Sequence, residues 1–406
     1  MNNILFVDDD SNILSGLRRR MRSLRPEWQT TFAGSGVEAL QRCAETSFDV
    51  VVTDMRMPGM DGSTLLQQIQ KSHPHAARII LSGFAEDEAV LRTVGPAHQY
   101  LAKPCEDDFL VKTIEHALEL RGLLTKPELR SLVAKIDTLA SPPDTYSRLL
   151  NALEDPKAGN DKIASIVSSD IALTAEVLKM TNSAYFSIAM KVTSVSHAVR
   201  MIGTETLKSL ALFIGLFRSF EGSKKLTGQL TLLCNRSQQI GVTAALIAEK
   251  EGLDKRVCQM IPSTGMLSHI GSLVLYLSRP AEMEKVIAQV EQEGIPIIDA
   301  ELAEFGAAHP EIGAYLLGLW GFPDPVVQAV AYHHRPMDVP HLEMTALTAI
   351  YAAQHLAKDV ALQQAGKTPQ TQIDMDYLAS IGKANNIETW REIAATVHEK
   401  YETLSR

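Results

Sequence analysis

Three carboxylates, one hydroxyl and one ammonium are the groups in the first hundred residues whose types and spacing could do chemistry. Asp8 and Asp9 follow the apolar run at 4–7, Asp54 follows FDVVVT, Ser82 follows RIIL, and Lys103 follows QYLA. Each falls where a short buried strand should end. Carboxylates gathered at neighbouring strand ends repel: at ~4 Å and an effective dielectric of ~20, a like-charged pair costs about 4 kcal/mol. Such a cluster needs a cation, a shared proton, or both. All-oxygen donors with open positions suit Mg²⁺, which keeps several waters and joins a phosphate readily. The lysine can pair with a carboxylate or a phosphoryl oxygen, and the serine can donate to the same oxygen. The set reads as a phosphoryl-transfer site with an aspartate as nucleophile and Mg²⁺ as cofactor.

The elements that must position these groups alternate. Strands are expected at 4–7, 28–32, 48–53, 78–81 and 99–102. Between them Ile13, Leu14, Leu17, Met21 and Leu24, then Val37 and Leu40, then Leu65, Leu66 and Ile69 recur at helical spacing. That alternation predicts a doubly wound, five-stranded parallel sheet of the flavodoxin type, with its site at the carboxyl ends of the strands. Asp10 or Ser11 is expected to cap the first helix. The arginines of RRRMR (Arg18, Arg19, Arg20 and Arg22, with Arg25 beyond) are read as a solvated helix face, because Leu17, Met21 and Leu24 take the buried one. A helix over 107–124 closes the unit and leads into a linker at 123–140.

From residue 141 to 406 helical periodicity replaces the alternation, as in Trp390, Ile393, Val397, Tyr401 and Leu404. Gly203, Gly252, Gly294 and Pro323 mark corners between helices. The second part is therefore expected to be an all-α domain. The formal charge is −9 over 406 residues, divided as −4 before residue 123 and −5 after it, so neither part offers the positive field that phosphate-backbone binding uses. DNA is an unexpected partner on that count, and no helix-turn-helix with basic recognition residues is legible. Four separated cysteines without CxxC spacing fit a reducing cytosol, and Cys105 is read as packed. No run of ~18 apolar residues and no secretory leader are recognised, so a cytoplasmic protein without a membrane span is expected.

Residues 1–122 resemble the receiver domain of two-component response regulators, through VDDD, VVTDMRMPGMDG, IILSG and YLAKP in the family's order and spacing. The resemblance implies that Asp54 accepts a phosphoryl group from a sensor histidine kinase. It implies that Asp8, Asp9, Asp54 and the backbone carbonyl of Arg56 hold Mg²⁺. Ser82 takes the hydroxyl role, Lys103 the phosphoryl-contacting role and Tyr100 the aromatic switch, with Pro104 following a cis peptide. Phe84 would shield the phosphoaspartate from water.

The helical part resembles HDOD domains, a branch of the HD superfamily. The matching stretches are 168–186 (SSDIALTAEVLKMTNSAYF), 198–210, 266–276 (MLSHIGSLVLY) and 307–334. Catalytic HD proteins hold a metal with His and Asp on neighbouring helices. Here those positions fall on Arg236, Ser268, His269 and Gln354, which reads as a degenerate site. His309, His333 and His334 remain as a residual pocket or as packed side chains. Two adjacent helical residues point about 100° apart, so His333 and His334 are not expected to share one metal. HHRPMDVP also lacks the glutamate and the later GYP of the HD-GYP branch.

The expected function is a response regulator whose phosphorylated receiver switches a non-catalytic HDOD domain that binds a downstream signalling protein, with a homodimer compatible. The rival is a metal-dependent phosphodiesterase or phosphohydrolase, acting on a cyclic dinucleotide.

Overall fold

The structure is a computed structural model that describes residues 2–82, 96–155, 157–182, 191–209, 211, 218–221, 223–339, 342–364, 366 and 373–405. Phe84 lies outside the described residues. Five strands, β1 (Asn3–Val7), β2 (Gln29–Ala33), β3 (Val50–Asp54), β4 (Ala77–Ser82) and β5 (Gln99–Ala102), pair in the order β2-β1-β3-β4-β5, all parallel. Among the described residues four helices flank them: α1 (Ser11–Leu24), α2 (Gly36–Glu45), α3 (Gly62–Ser72) and α4 (Asp107–Glu119). Alternate strand residues face opposite sides. Ile4, Phe6, Val50, Val52, Ile79 and Leu81 pack with Leu17 and Met21 of α1 and Leu110 and Ile114 of α4. Leu5, Val7, Val51 and Ile80 pack with Cys43 of α2 and Leu65, Leu66 and Ile69 of α3. A sheet covered on both faces explains why its strands read as unbroken apolar runs.

Several boundaries differ from expectation. β2 starts at Gln29, with Trp28 buried just before it. The helix expected over 107–124 ends at Glu119 in a 3-10 turn, Leu120–Gly122, and a separate helix Pro127–Ala134 follows. Pro127 takes the first helical position, where its missing N–H costs nothing. Asp10 caps α1 by accepting from the Asn12 N–H at 2.7 Å. Arg18, Arg19, Arg20 and Arg22 are exposed, as a solvated face requires.

Among the described residues the remainder is helical apart from one short parallel pair, Ala140–Ser141 with Arg218–Ser219. Gly203, Gly252 and Gly294 have positive φ at helix ends. The 27-residue helix Lys224–Lys250 runs against Lys255–Leu267, and two glycines set how closely. A Cβ on Gly265 would stand 2.4 Å from the Gly241 Cα. Contrary to the sequence expectation, the segment Lys255–Ser278 is long and apolar enough to cross a membrane by length and composition. Its most apolar window is 89% buried inside the fold, which is the signature of a core element.

The sheet and the helical part meet at β4 and β5. Arg78 of β4 is fully buried. Its Nε donates to the Pro96 carbonyl at 2.5 Å and its Nη2 to the Ala134 carbonyl at 2.7 Å, the last residue of the helix Pro127–Ala134. His98 accepts from the Arg78 N–H at Nδ1, 3.1 Å, and its Nε2 faces the same Ala134 carbonyl at 3.1 Å. A carbonyl can only accept, so His98 is the neutral Nε2–H tautomer. Gln70 of α3 donates to Asp137 at 2.7 Å, and Gly321 lies against the Gln99 side chain.

Two outcomes follow from this joint. Arg78→Ala strips two buried carbonyls of charged donors, so denaturant unfolding should show a loss of about 3 kcal/mol. Burial, and then the Arg78 charge, hold the His98 imidazole well below its ordinary value. The unfolded chain takes up a proton below pH ~6.5 that folded His98 refuses, so this contribution is full above that pH and falls by up to about 1.4 kcal/mol per unit below it. In His98→Gln, stability measured from pH 6.5 to 5 should depend on pH less steeply, by about one proton.

Candidate functional site

The carboxyl ends of β1 and β3 bring Asp8 and Asp54 side by side, and the loop after β5 brings Lys103 between them. Asp8 is 3% exposed. Lys103 Nζ donates to Asp8 Oδ2 at 2.8 Å and to Asp54 Oδ1. Burial disfavours the Lys103 ammonium, but its hydrogen bonds to Asp54 and Asp8 and their charges outweigh that, and its pKa is raised. The other Asp54 oxygen accepts from the Arg56 N–H at 2.6 Å, and Asp8 Oδ1 accepts from the Asp10 N–H at 2.9 Å. Asp9 is exposed beside them. The repulsion anticipated for this cluster is thus met by one ammonium and by backbone N–H groups. The donors of Asp8, Asp9 and Asp54 and the Arg56 carbonyl are all hard oxygens, the set that suits Mg²⁺.

Ser82 is the last residue of β4, in register with Ala102 of β5. Its side chain is outside the described atoms. The Lys103–Pro104 peptide is cis, as anticipated. Tyr100 is 9% exposed. It lines a small cavity together with His98, Lys179, Asn182, Lys191 and Trp320, so it sits between the sheet and the helical part. Lys179 Nζ stands 3.9 Å over the Trp320 ring. Cys105 is half-buried, and burial, followed by the charges of Asp107 and Glu106, raises its thiol pKa. That fits a packed cysteine.

The loop that leads away from Asp54 is shaped by two glycines. Gly59 has φ +81°. A Cβ on Gly62 would lie 2.2 Å from the Asp54 carbonyl oxygen, so only glycine lets α3 start there. Asp61 caps α3 by accepting from the Thr64 N–H at 2.7 Å.

The histidines of the helical part converge. His269, His309, His333 and His334 place one ring nitrogen each within 4.8 Å of one another. His269 precedes the helix Ile270–Ser278, His309 opens His309–Leu319, and His333 caps Asp324–Tyr332. The first two helices touch backbone to backbone: a Cβ on Gly271 would stand 2.0 Å from the His309 carbonyl oxygen. The resulting His269 and His309 rings stack with centroids 5.3 Å apart. His333 and His334 both approach His309, with Nε2–Nε2 separations of 3.4 and 3.3 Å. This corrects the expectation that they diverge. The helix ends at Tyr332, so the angle of a continuing helix does not govern them. Burial, followed by neighbouring imidazoles, holds His269, His333 and His334 well below their ordinary pKa.

Of the positions aligned with an HD site, His269 belongs to this cluster. Ser268 donates to the Gly265 carbonyl at 2.7 Å and contacts His269 Nδ1 at 3.0 Å. Gln354 reaches His334 Nδ1 at 3.1 Å, and Arg236 is exposed. Sequence reasoning missed Glu301 and Ser237. Glu301 is fully buried and accepts from both the N–H and the Nδ1 of His309, at 2.8 and 2.7 Å. Its signal was a lone acid on the apolar face of IIDAELAEF.

Comparison with known proteins agrees with both halves. The response regulator receiver domain model matches residues 4–115 and the HDOD domain model residues 139–336. The DNA-binding transcriptional regulator NtrC of Escherichia coli K12 is 40% identical over 113 residues, 28% of this chain and 24% of that protein. An uncharacterized protein of Treponema pallidum is 25% identical over 279 residues, 67% of this chain and 51% of its own length. The chain therefore spans about half or less of these relatives. A virulence factor of Campylobacter jejuni, of solved structure, shares the fold with a TM-score of 0.50 at 16% identity, covering 68% of this chain and 100% of that one.

Gly62→Ala should displace the end of β3. A loss of about 1–3 kcal/mol in urea unfolding is expected, the ordinary range for an overpacked position.

Proposed function

The chain belongs to the response regulators that join a receiver domain to an HDOD domain, and from that premise we propose that Asp54 is the phosphoacceptor whose modification switches a non-catalytic helical output. The observation that supports this most directly is the Lys103 ammonium shared by Asp8 and Asp54 at adjoining strand ends. Asp54 presents a carboxylate oxygen to the phosphoryl donor, a histidine kinase. Lys103 is already at that oxygen and pairs with a phosphoryl oxygen once the acyl phosphate forms. The Arg56 N–H keeps the second carboxylate oxygen oriented. Asp8, Asp9, Asp54 and the Arg56 carbonyl would hold Mg²⁺, which supplies neutralisation of phosphoryl charge when bound. Ser82 takes the hydroxyl role at the end of β4.

Phosphorylation replaces the single carboxylate charge of Asp54 with a phosphoryl group carrying about −1.5 to −2. The Lys103 bridge to Asp8 then competes with a stronger anion. β5 carries Lys103 at one end and Tyr100 and Gln99 behind it, and those two face Trp320, Lys179 and Gly321 of the helical part. A shift of Tyr100 would be felt there without a long route. Complete switching needs ~5.5 kcal/mol of differential stabilisation. The output is read as a surface that binds or releases a downstream signalling protein.

The hydrolase reading rests on the histidine cluster. His269, His309 and His333 are 4%, 1% and 0% exposed, which leaves a phosphate ester no approach to them. No turnover of a cyclic dinucleotide is therefore expected with any divalent metal.

Acetyl phosphate with Mg²⁺ should add one phosphoryl group to the full chain by intact mass. Amide exchange around Tyr100 and Trp320 should change with it. Asp54→Asn should show neither effect. Labelling that persists in that variant, or labelled protein with unaltered exchange at the joint, would overturn the proposal.

A further inference from the structure

We infer that His269, His309, His333 and His334 form a binding site for one divalent transition-metal ion of the zinc class, held by four imidazole nitrogens. The argument starts from protons. His309 Nδ1 stands 2.7 Å from the Glu301 carboxylate, and His333 Nδ1 stands 2.7 Å from the Val330 carbonyl. The Val330 carbonyl accepts, and so does Glu301 as a carboxylate, so both Nδ1 atoms then carry hydrogen. In the neutral rings the two Nε2 atoms are then bare lone pairs. They face each other at 3.4 Å. Two acceptors aimed at one another in a buried space are unsatisfied unless something positive lies between them.

The spacing says what that is. Tetrahedral ligands at Zn–N distances of 2.0–2.1 Å lie about 3.3–3.4 Å apart. The His309 Nε2 atom is 3.4 Å from His333 Nε2 and 3.3 Å from His334 Nε2. His269 completes the set, its Nδ1 engaged by the hydroxyls of Ser237 at 3.1 Å and Ser268 at 3.0 Å, so that its other nitrogen is left for the cluster. The Gln354 amide nitrogen lies 3.1 Å from His334 Nδ1 and 3.3 Å from its Nε2, so this contact does not set the tautomer of His334.

His269, His309 and His333 thus each have an outer partner that fixes tautomer and plane, as metal-ligating histidines do. The Glu301–His309 pair adds the carboxylate that raises ligand basicity. All-imidazole donors select zinc, copper, nickel or iron over Mg²⁺. Four protein ligands around one ion leave no open position, so the site is structural or regulatory and does not activate water. It ties together the ends of three helices.

The test uses the full chain, stripped with a chelator and kept in millimolar Mg²⁺ so that the acidic pocket is occupied. Co²⁺ is then titrated as the spectroscopic probe. The expected result is one equivalent bound, with the intense visible bands of tetrahedral cobalt, and displacement by Zn²⁺. His309→Ala and His333→Ala, with unchanged circular dichroism, should weaken binding by at least about 100-fold. If either variant fails to fold, His334→Gln at the rim and the isosteric Glu301→Gln take its place, with roughly 10–100-fold weaker binding expected. Absence of stoichiometric uptake by the wild type would overturn the inference. So would an octahedral cobalt spectrum, or equal affinity in a folded histidine variant.

Discussion

One constraint runs through the receiver half: like charges at adjacent strand ends must be compensated. A parallel sheet forces Asp8 and Asp54 into the same crevice, because β1 and β3 are neighbours that end on one side. Lys103 answers this from the loop after β5. The same geometry that creates the repulsion gathers hard oxygen donors and one ammonium in a single crevice. The backbone around Asp54 is shaped by the same crowding. Gly62 yields the space that the Asp54 carbonyl occupies, and the Arg56 N–H holds the carboxylate.

The receiver is not tethered by a loose linker. A fully buried guanidinium on β4 and a neutral imidazole at the start of β5 both terminate on the carbonyl end of the helix Pro127–Ala134. A cation at the last carbonyl of a helix is favoured by the helix dipole as well as by the hydrogen bond. The strands that present Lys103 and Ser82 therefore also hold the helical part in place.

The helical half shows how packing can concentrate chemistry that no local pattern reveals. Gly271 lets two helices approach until His269 and His309 stack. A helix that stops at Tyr332 turns His333 and His334 toward them. Glu301, buried without a lysine or arginine partner among the described residues, finds its role only in orienting His309.

The linear order of residues was enough for the sheet, the identity of its strand-end groups, the helical nature of the remainder and the corner glycines. These follow from short-range rules: period, apolar runs and chain reversal. Strand ends at 53–54, the stop of α4 at Glu119 and the small Ala140–Ser141 pairing were settled by contacts from afar. So were the burial of Arg78, which RIIL hid inside an apolar run, and the convergence of four histidines whose numbers span 65 positions between His269 and His334. Distance between side chains on different helices depends on how closely backbones approach. That is decided by tertiary packing around glycines such as Gly271, and spacing along the chain carries no information about it.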